Sequence, residues 1–188
     1  MEILTKAELR VRLDEFLEKI SEGAVFIYPT DTIYGIGCNA LNERSVQKVR
    51  ELKRREDKPF SVWVPSLQWI RDNCILDEKS KEALQQLPGP VTLVLRLKNK
   101  RSITGNVIKD METIGVRIPD HWFSKVVEKL NIPIVTTSAN KTGRPFMTSI
   151  EDIDPEIKEG VEFMIYEGPK EGRPSRIIDL VEGNVKER

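Results

Sequence analysis

Short apolar runs rich in β-branched and aromatic residues recur along the chain, separated by segments with helical spacing. The clearest runs are Val91–Leu97 and residues 132–137, whereas Leu9, Leu13 and Phe16 follow the spacing of one helical face. Strands that alternate with helices are typical of α/β proteins, and residues 89–119 link strands without an obvious crossover helix. The sequence therefore predicts an α/β fold with about seven strands in a twisted mixed β-sheet and flanking helices.

The length and charge of the chain limit its partners. A chain of 188 residues can bury roughly two-thirds of its unfolded surface in one core, so we expect residues 1–188 to form a single domain. The 30 basic side chains balance the 30 acidic ones, so the net charge is zero. Any polyanion must therefore meet a local basic cluster rather than a global field.

Metal sites and membrane segments are not encoded by recognisable patterns. Cys38 and Cys74 lack metal-ligand spacing, and His121 is the only histidine, so we expect no protein metal site. The sequence has neither an apolar N-terminal segment nor an apolar run of about eighteen residues. We expect a cytoplasmic protein that does not contact membranes.

Helix boundaries can be read from capping residues. Thr5 and Glu8 form a capping-box pattern, and Gly23 ends the helix that follows. Asn42 is placed to cap a second helix, on which we expect Arg50 to stay in solvent.

The stretch 25–37 joins an apolar run to polar and small residues. Pro29 interrupts the run, Asp31 lies between two threonines, and Gly35 and Gly37 end the stretch. This pattern predicts a buried strand that opens into a polar loop, which either binds a small polar ligand or is a plain strand terminus. The glycines also fit a dinucleotide-binding pattern, but Asp57 precedes the second strand instead of ending it, which argues against that fold.

A basic cluster follows the second helix. Lys53, Arg54, Arg55 and Lys58 lie within six residues. They are either a solvated helix end, where cations complement the helix dipole, or a clamp for phosphates.

Three further positions are candidates for ligand contacts. The loop from Thr137 to Gly143 carries small hydroxyl and amide side chains, which suit either a ligand loop or a helix cap. Arg117 lies among apolar strand neighbours and needs a carboxylate partner, from the protein or from a substrate, unless it is an ordinary surface arginine. His121 fits a turn residue better than a general base.

Six motifs in this order resemble the YrdC-like family of L-threonylcarbamoyladenylate synthases: Pro29-Thr-Asp-Thr-Ile-Tyr-Gly-Ile-Gly37, Lys53-x-Arg55 with Lys58-Pro59, Pro88-Gly-Pro-Val-Thr92, Gly115-Val-Arg117-Ile-Pro119, Thr137-Ser-Ala-Asn140 and Pro174-Ser175. The resemblance covers residues from about 23 to 179 and is to the short, single-domain form. It implies a YrdC-like α/β twist with a concave basic ligand face.

The resemblance also implies an activity. Family members are nucleotidyltransferases that make L-threonylcarbamoyl-AMP, pyrophosphate and water from ATP, L-threonine and bicarbonate. The product serves N6-threonylcarbamoyladenosine formation at position 37 of tRNA. The implied partners are these three substrates and a downstream tRNA threonylcarbamoyl transferase complex, and direct contact with tRNA is allowed. Mg²⁺ is expected on the ATP triphosphate.

The family pattern assigns site residues to this sequence. Lys53 and Arg55 would be catalytic, and the nucleotide would be held by Lys53, Arg55, Lys58, Thr113, Ser138, Asn140 and Ser175. Threonine would be held by Thr32, Arg117 and Thr137. Three positions depart from the family pattern, and no contact is assigned to them: Trp63, Phe146 and Arg176.

Two other functions remain open from the sequence. The same basic surface would suit a non-catalytic module that binds tRNA or double-stranded RNA, although a single basic cluster and zero net charge disfavour it. A carbamoyl-adenylate activity of the hydrogenase-maturation type is disfavoured, because the zinc-finger and acylphosphatase segments of those larger proteins are missing from the sequence.

Overall fold

The apolar runs of the sequence assemble into one mixed sheet. A computed structural model describes residues 1–109 and 111–186, and within them the sheet has eleven strands. The strands are β1 Glu2–Leu4, β2 Phe26–Pro29, β3 Tyr34–Gly37, β4 Ser61–Trp63, β5 Cys74–Ile75, β6 Val91–Leu97, β7 Thr113–Arg117, β8 Ile134–Ser138, β9 Phe163–Ile165, β10 Arg176–Asp179 and β11 Asn184–Lys186.

Helices flank this sheet. They are α1 Lys6–Val11, α2 Leu13–Glu22, α3 Glu43–Lys53, α4 Leu67–Asn73, α5 Glu78–Ala83, α6 Gly105–Ile108, α7 Ser124–Leu130 and α8 Pro155–Gly160, with short 3₁₀ turns at Leu84–Gln86, Lys100–Ser102 and Ile150–Asp152.

The strand order is β1-β9-β2-β3-β8-β4-β7-β6-β10-β11, and β5 pairs with β6 outside this path. Strand β9 is parallel to both β1 and β2, and the pairs β4–β7 and β6–β10 are also parallel. The pairs β2–β3, β3–β8, β4–β8 and β6–β7 are antiparallel. The predicted mixed α/β sheet with flanking helices is therefore confirmed.

The two faces of the sheet are covered differently. One face packs against α3, α4, α6 and α8 through an aliphatic core that includes Val46, Val62 and Ile70. Part of the other face packs against α2 and α7 through a cluster of aromatic residues that includes Tyr28 and Trp63. The rest of this second face opens onto the cavities described below.

The predicted helix caps are confirmed, but the structure also has one helix break that the sequence pattern did not predict. Thr5 and Glu8 form the reciprocal capping box, Asn42 caps α3 through the amide of Ser45, and Gly23 ends α2 in the left-handed conformation at φ 112°. The first predicted helix, however, is divided at Arg12 into α1 and α2. The sequence also predicted about seven strands, fewer than the structure shows, since several strands have only two to four residues.

The stretch 25–37 differs from the prediction. Instead of one strand and a loop, it forms the hairpin β2–β3, and both glycines belong to β3. A Cβ at Gly37 would lie 2.2 Å from the backbone oxygen of Val135, and one at Gly35 would lie 3.0 Å from the Tyr28 ring. The glycines are thus required by close strand packing, not by a phosphate-binding turn.

Candidate active site

A small cavity lies where the β2–β3 turn meets the ends of β7 and β8. Its volume is about 80 Å³. It brings together all three residues predicted to hold threonine, with two of the predicted nucleotide ligands; its lining includes Thr32, Arg117, Thr137, Ser138 and Ser175. We call it the closed cavity.

The β2–β3 turn forms one wall of the closed cavity. The Thr30 hydroxyl accepts hydrogen bonds from the amides of Thr32 (3.1 Å) and Ile33 (3.2 Å) and lies 3.0 Å from the Thr32 hydroxyl. A threonine can stabilise a turn in this way because its side chain bonds to the backbone ahead of it. The wall is therefore held by its own hydrogen bonds.

Arg117 enters the closed cavity from the end of β7 and is paired within the protein. Its Nη2 donates to Asp31 Oδ1 at 3.0 Å, and both side chains are 9% exposed. The sequence predicted that this arginine needs a carboxylate partner, and the structure supplies Asp31. Asp31 was recognised only as a residue between two threonines, since nothing local indicates a partner 86 residues away.

A strap formed by residues 167–175 passes over the closed cavity. A Cβ at Gly172 would lie 2.0 Å from the backbone oxygen of Thr32, which shows how closely the strap is packed. Lys170 Nζ donates to the Thr30 carbonyl at 2.9 Å, and the Tyr34 hydroxyl donates to the Gly168 carbonyl at 2.6 Å. Burial raises the pKa of Tyr34 to about 12, so the hydroxyl keeps the proton that it donates.

The carboxylate of Glu167 fixes the start of the strap. It accepts from Trp122 Nε1 at 2.6 Å, lies 2.9 Å from His121 Nε2 and also pairs with Lys170. Burial alone would raise the pKa of Glu167, but these hydrogen bonds lower it below its usual value. Burial lowers the pKa of His121, although Glu167 opposes this effect. His121 lies in a turn, as predicted, and its carboxylate partner was not recognised in the sequence.

A second, larger recess lies beside the closed cavity on the same sheet face. This groove has a volume of about 380 Å³ and contains Arg55 and Thr113. Ser61 and Thr92 line both the groove and the closed cavity, so the two spaces share a floor. The Thr92 hydroxyl lies 2.9 Å from that of Ser175, which ties the strap to this floor.

Lys53 is buried at the end of α3. Its side chain is predicted to be catalytic, and the residue is 2% exposed. Its Nζ donates to the carbonyls of Ser138 (2.5 Å) and Asn140 (2.6 Å). Lys53 therefore joins the basic cluster to the loop after β8, and the Ser138 hydroxyl bonds Asn140 Oδ1 at 2.5 Å within that loop.

The other cluster residues differ in exposure. Arg55 Nη2 donates to the Pro59 carbonyl at 2.6 Å, and its guanidinium lies 5.3 Å from the Phe60 ring centroid. Lys58 is exposed. Asn140 lines a wider depression of about 770 Å³, together with Arg144 and Phe146.

Arg50 corrects a sequence prediction. It was expected in solvent but is 3% exposed. Its guanidinium donates to the carbonyls of Arg55 (3.0 Å), Lys58 (3.0 Å) and Asn106 (2.8 Å). Arg50 thus shapes the loop that carries the predicted phosphate clamp, because five donors on one planar group can satisfy several carbonyls.

The three departures from the family pattern lie at different depths. Trp63 is fully buried among aromatic residues, 5.7 Å from Tyr28 and 5.5 Å from Phe123 between ring centroids. Phe146 lines the wide depression, and Arg176 is exposed with Nη2 3.0 Å from Gln86 Oε1.

Within residues 1–109 and 111–186, no group of three or more His, Cys, Asp and Glu side chains could hold a metal ion. In the same part of the chain, no helix combines the length and apolarity needed to cross a membrane. Cys38 and Cys74 are both free and buried, and burial raises the pKa of each thiol.

Several known proteins are similar to this chain. A model of the Sua5/YciO/YrdC family, described by the words telomere recombination, matches residues 18–187. A Methanocaldococcus jannaschii protein, provisionally named a threonylcarbamoyl-AMP synthase, is 39% identical over 183 residues, which are 95% of this chain and 85% of that protein. A Pyrococcus abyssi threonylcarbamoyl-AMP synthase is 33% identical over 93% of this chain and 54% of its own length.

A solved structure agrees with these sequence matches. The crystal structure of P. abyssi Sua5 complexed with L-threonine superposes with a TM-score of 0.83 and 27% identity over 98% of this chain. The match covers 55% of that chain, so this sequence spans about half the length of the P. abyssi protein. The family model and the relatives cover most of residues 1–188, and we conclude that the chain belongs to the Sua5/YciO/YrdC family.

Proposed function

We propose that the chain is a threonylcarbamoyl-AMP synthase, a nucleotidyltransferase that makes L-threonylcarbamoyl-AMP, pyrophosphate and water from ATP, L-threonine and bicarbonate. Relatives that carry this name and the relative crystallised with L-threonine support the proposal. The observation that carries it is the closed cavity joined to the groove through Ser61 and Thr92. Such a pair of spaces suits one small and one long substrate that react at their junction.

The closed cavity would hold threonine. A space of about 80 Å³ is far smaller than the usual pocket for a drug-sized ligand, and its lining is rich in hydroxyls. Arg117 would bind the amino-acid carboxylate, because a guanidinium matches a carboxylate with two parallel hydrogen bonds. Thr32 and Thr137 would contact the remaining polar groups of threonine.

The groove and the loop after β8 would hold ATP. Arg55 and the exposed Lys58 would bind phosphates, with Thr113, Ser138, Asn140 and Ser175 as hydroxyl and amide partners. Lys53 would act at the loop after β8, where its ammonium group holds the carbonyls of Ser138 and Asn140. Mg²⁺ would enter with ATP, bound to phosphate oxygens.

The chemistry requires alignment and charge stabilisation more than a protein nucleophile. Threonine's amine and bicarbonate form a carbamate and water. A carbamate oxygen then attacks the α-phosphorus of ATP, and the bond from this phosphorus to the bridging oxygen breaks to release pyrophosphate. Cations aimed at the phosphates stabilise the charge that develops in this step.

The product would be consumed by a second enzyme. A carbamoyl-adenylate is an activated group donor, so we propose that a tRNA threonylcarbamoyl transferase complex uses it to modify adenosine 37 of tRNA in the cytoplasm. The same proposal includes direct contact between this chain and tRNA.

The test is pyrophosphate release by the purified protein with ATP, Mg²⁺, bicarbonate and labelled threonine. We expect release that requires both threonine and bicarbonate, with label appearing in an AMP ester. The matched control is the same assay with free L-alanine as the amino-acid substrate. Alanine keeps the amino and carboxylate groups of threonine but lacks its hydroxyl and methyl groups. Release that ignores threonine would contradict the assignment.

A further inference from the structure

Asp31 lies in the β2–β3 turn, which forms one wall of the closed cavity. Its neighbours Thr30, Thr32 and Ile33 line the cavity, whereas the Asp31 carboxylate reaches Arg117. The hydrogen bonds of the Thr30 hydroxyl fix this turn. The turn therefore presents Thr32 to the cavity and Asp31 to Arg117, which also lines the cavity.

The two oxygens of Asp31 bind two different parts of the chain. Oδ1 accepts from Arg117 Nη2 at 3.0 Å, and Oδ2 accepts from the backbone amide of Asp120 at 3.1 Å. Asp120 belongs to the turn that follows β7, the strand that ends at Arg117. The carboxylate is thus held by the backbone on one side while it holds the guanidinium on the other.

A long side chain such as arginine loses rotamer freedom when it is ordered for binding. A buried carboxylate that is itself fixed removes this freedom before the ligand arrives, and it supplies the counter-charge that a buried guanidinium requires. Asp31 accepts from one terminal nitrogen of Arg117, and a guanidinium carries five N–H donors in all.

We propose that Asp31 is a positioning residue for the amino-acid substrate: it sets the Arg117 guanidinium in the orientation that receives the substrate carboxylate. This inference rests on the proposed function, in which Arg117 binds threonine. The competing outcome is that the Asp31 charge weakens the attraction of Arg117 for a second carboxylate, so that removing it would tighten threonine binding.

The test is Asp31→Asn, which keeps the shape of the side chain and removes its charge. We expect kcat/KM for threonine to fall about 10-fold, the size of a weakened charge-assisted hydrogen bond, while the KM for ATP stays within about 2-fold. In an Arg117→Ala background the same change should have almost no further effect, because Asp31 acts through Arg117. Asp14→Asn is the matched control, since the Asp14 side chain is 89% exposed on α2.

A second measurement does not depend on turnover. In the unliganded protein, hydrogen exchange at Arg117 Nη2, followed by ¹⁵N NMR, should be faster in Asp31→Asn than in the wild type, because Asp31 accepts a hydrogen bond from this nitrogen. The inference would be overturned by unchanged or tighter threonine binding, by equal losses of affinity for threonine and ATP, or by unchanged hydrogen exchange at Arg117. If the wild type releases no pyrophosphate in response to threonine, the proposed function fails, and the exchange result alone decides whether Asp31 orders Arg117.

Discussion

The closed cavity and the groove lie side by side on one sheet face but are built differently. The closed cavity has a volume of about 80 Å³, a strap over it and an arginine paired with a buried carboxylate. The groove has a volume of about 380 Å³, and its arginine lies at the surface loop shaped by Arg50. The difference in size suits the proposed substrates: a small amino acid fits the smaller space, whereas a nucleotide needs the longer one.

The sharpest test of this comparison is a pair of arginine variants. Arg117→Ala should raise the KM for threonine about 100-fold and leave ATP within about 3-fold, and Arg55→Ala should do the reverse, because each guanidinium would serve one anionic substrate. Steady-state kinetics with each substrate varied in turn provides the measurement. The unaffected substrate serves as the folding control in each variant, and equal losses for both substrates would contradict the separation of the two spaces.

The next test concerns Lys53 and the loop after β8. Lys53→Met should weaken ATP binding about 30-fold and lower the free energy of unfolding by about 2–3 kcal/mol, because the carbonyls of Ser138 and Asn140 lose a buried charged donor. Urea denaturation and nucleotide titration provide the measurements. Lys48→Met, at an exposed position of the same helix, is the control and should change neither quantity. A Lys53→Met protein of wild-type stability would show that the lysine does not hold this loop.

A substitution in the strap should have a smaller effect, confined to threonine binding. Gly172→Ala should weaken threonine binding about 10-fold, since its Cβ would meet the Thr32 carbonyl and push the strap from the cavity. Calorimetric titration with threonine provides the measurement. Gly105→Ala is the matched control, because a Cβ there meets nothing within 4 Å. Unchanged threonine affinity would mean that the strap does not enclose the ligand.

The smallest expected effect is a pH dependence of stability at the start of the strap. Because burial lowers the pKa of folded His121 below its ordinary 6.5, the unfolded chain binds more protons as the pH falls below that value. The free energy of unfolding should therefore decrease on acidification, and His121→Gln should flatten this dependence between pH 7 and 5. Denaturant melts of both proteins across this range give the answer. Parallel pH profiles would assign the dependence to other groups.

Local signals predicted the parts of the fold that depend on neighbouring residues. The caps at Thr5 and Asn42, the strand Val91–Leu97 and the mixed sheet follow from capping chemistry and apolar periodicity, and the structure confirms them. The hairpin in residues 25–37 was missed because Gly35 and Gly37 have low strand propensity, and their fit against Tyr28 and Val135 depends on tertiary packing.

The site was predicted less completely, for the same physical reason. The sequence identified Thr32, Arg117 and Thr137, which the structure brings together, but it did not reveal the pairing of Arg117 with Asp31 or the burial of Arg50. Asp31 lies 86 residues from Arg117, and Arg50 bonds the carbonyl of Asn106, 56 residues away, besides the nearby carbonyls of Arg55 and Lys58. The roles of the predicted ligands in binding remain predictions that the variants above test.

The most direct test of the account is a crystal structure of the protein with L-threonine and a non-hydrolysable ATP analogue. We predict the threonine carboxylate on the Arg117 guanidinium inside the closed cavity, and the α-phosphate at the junction near Ser61 and Thr92, with the phosphate chain towards Arg55. Threonine bound outside the closed cavity, or phosphates distant from Arg55, would contradict the account.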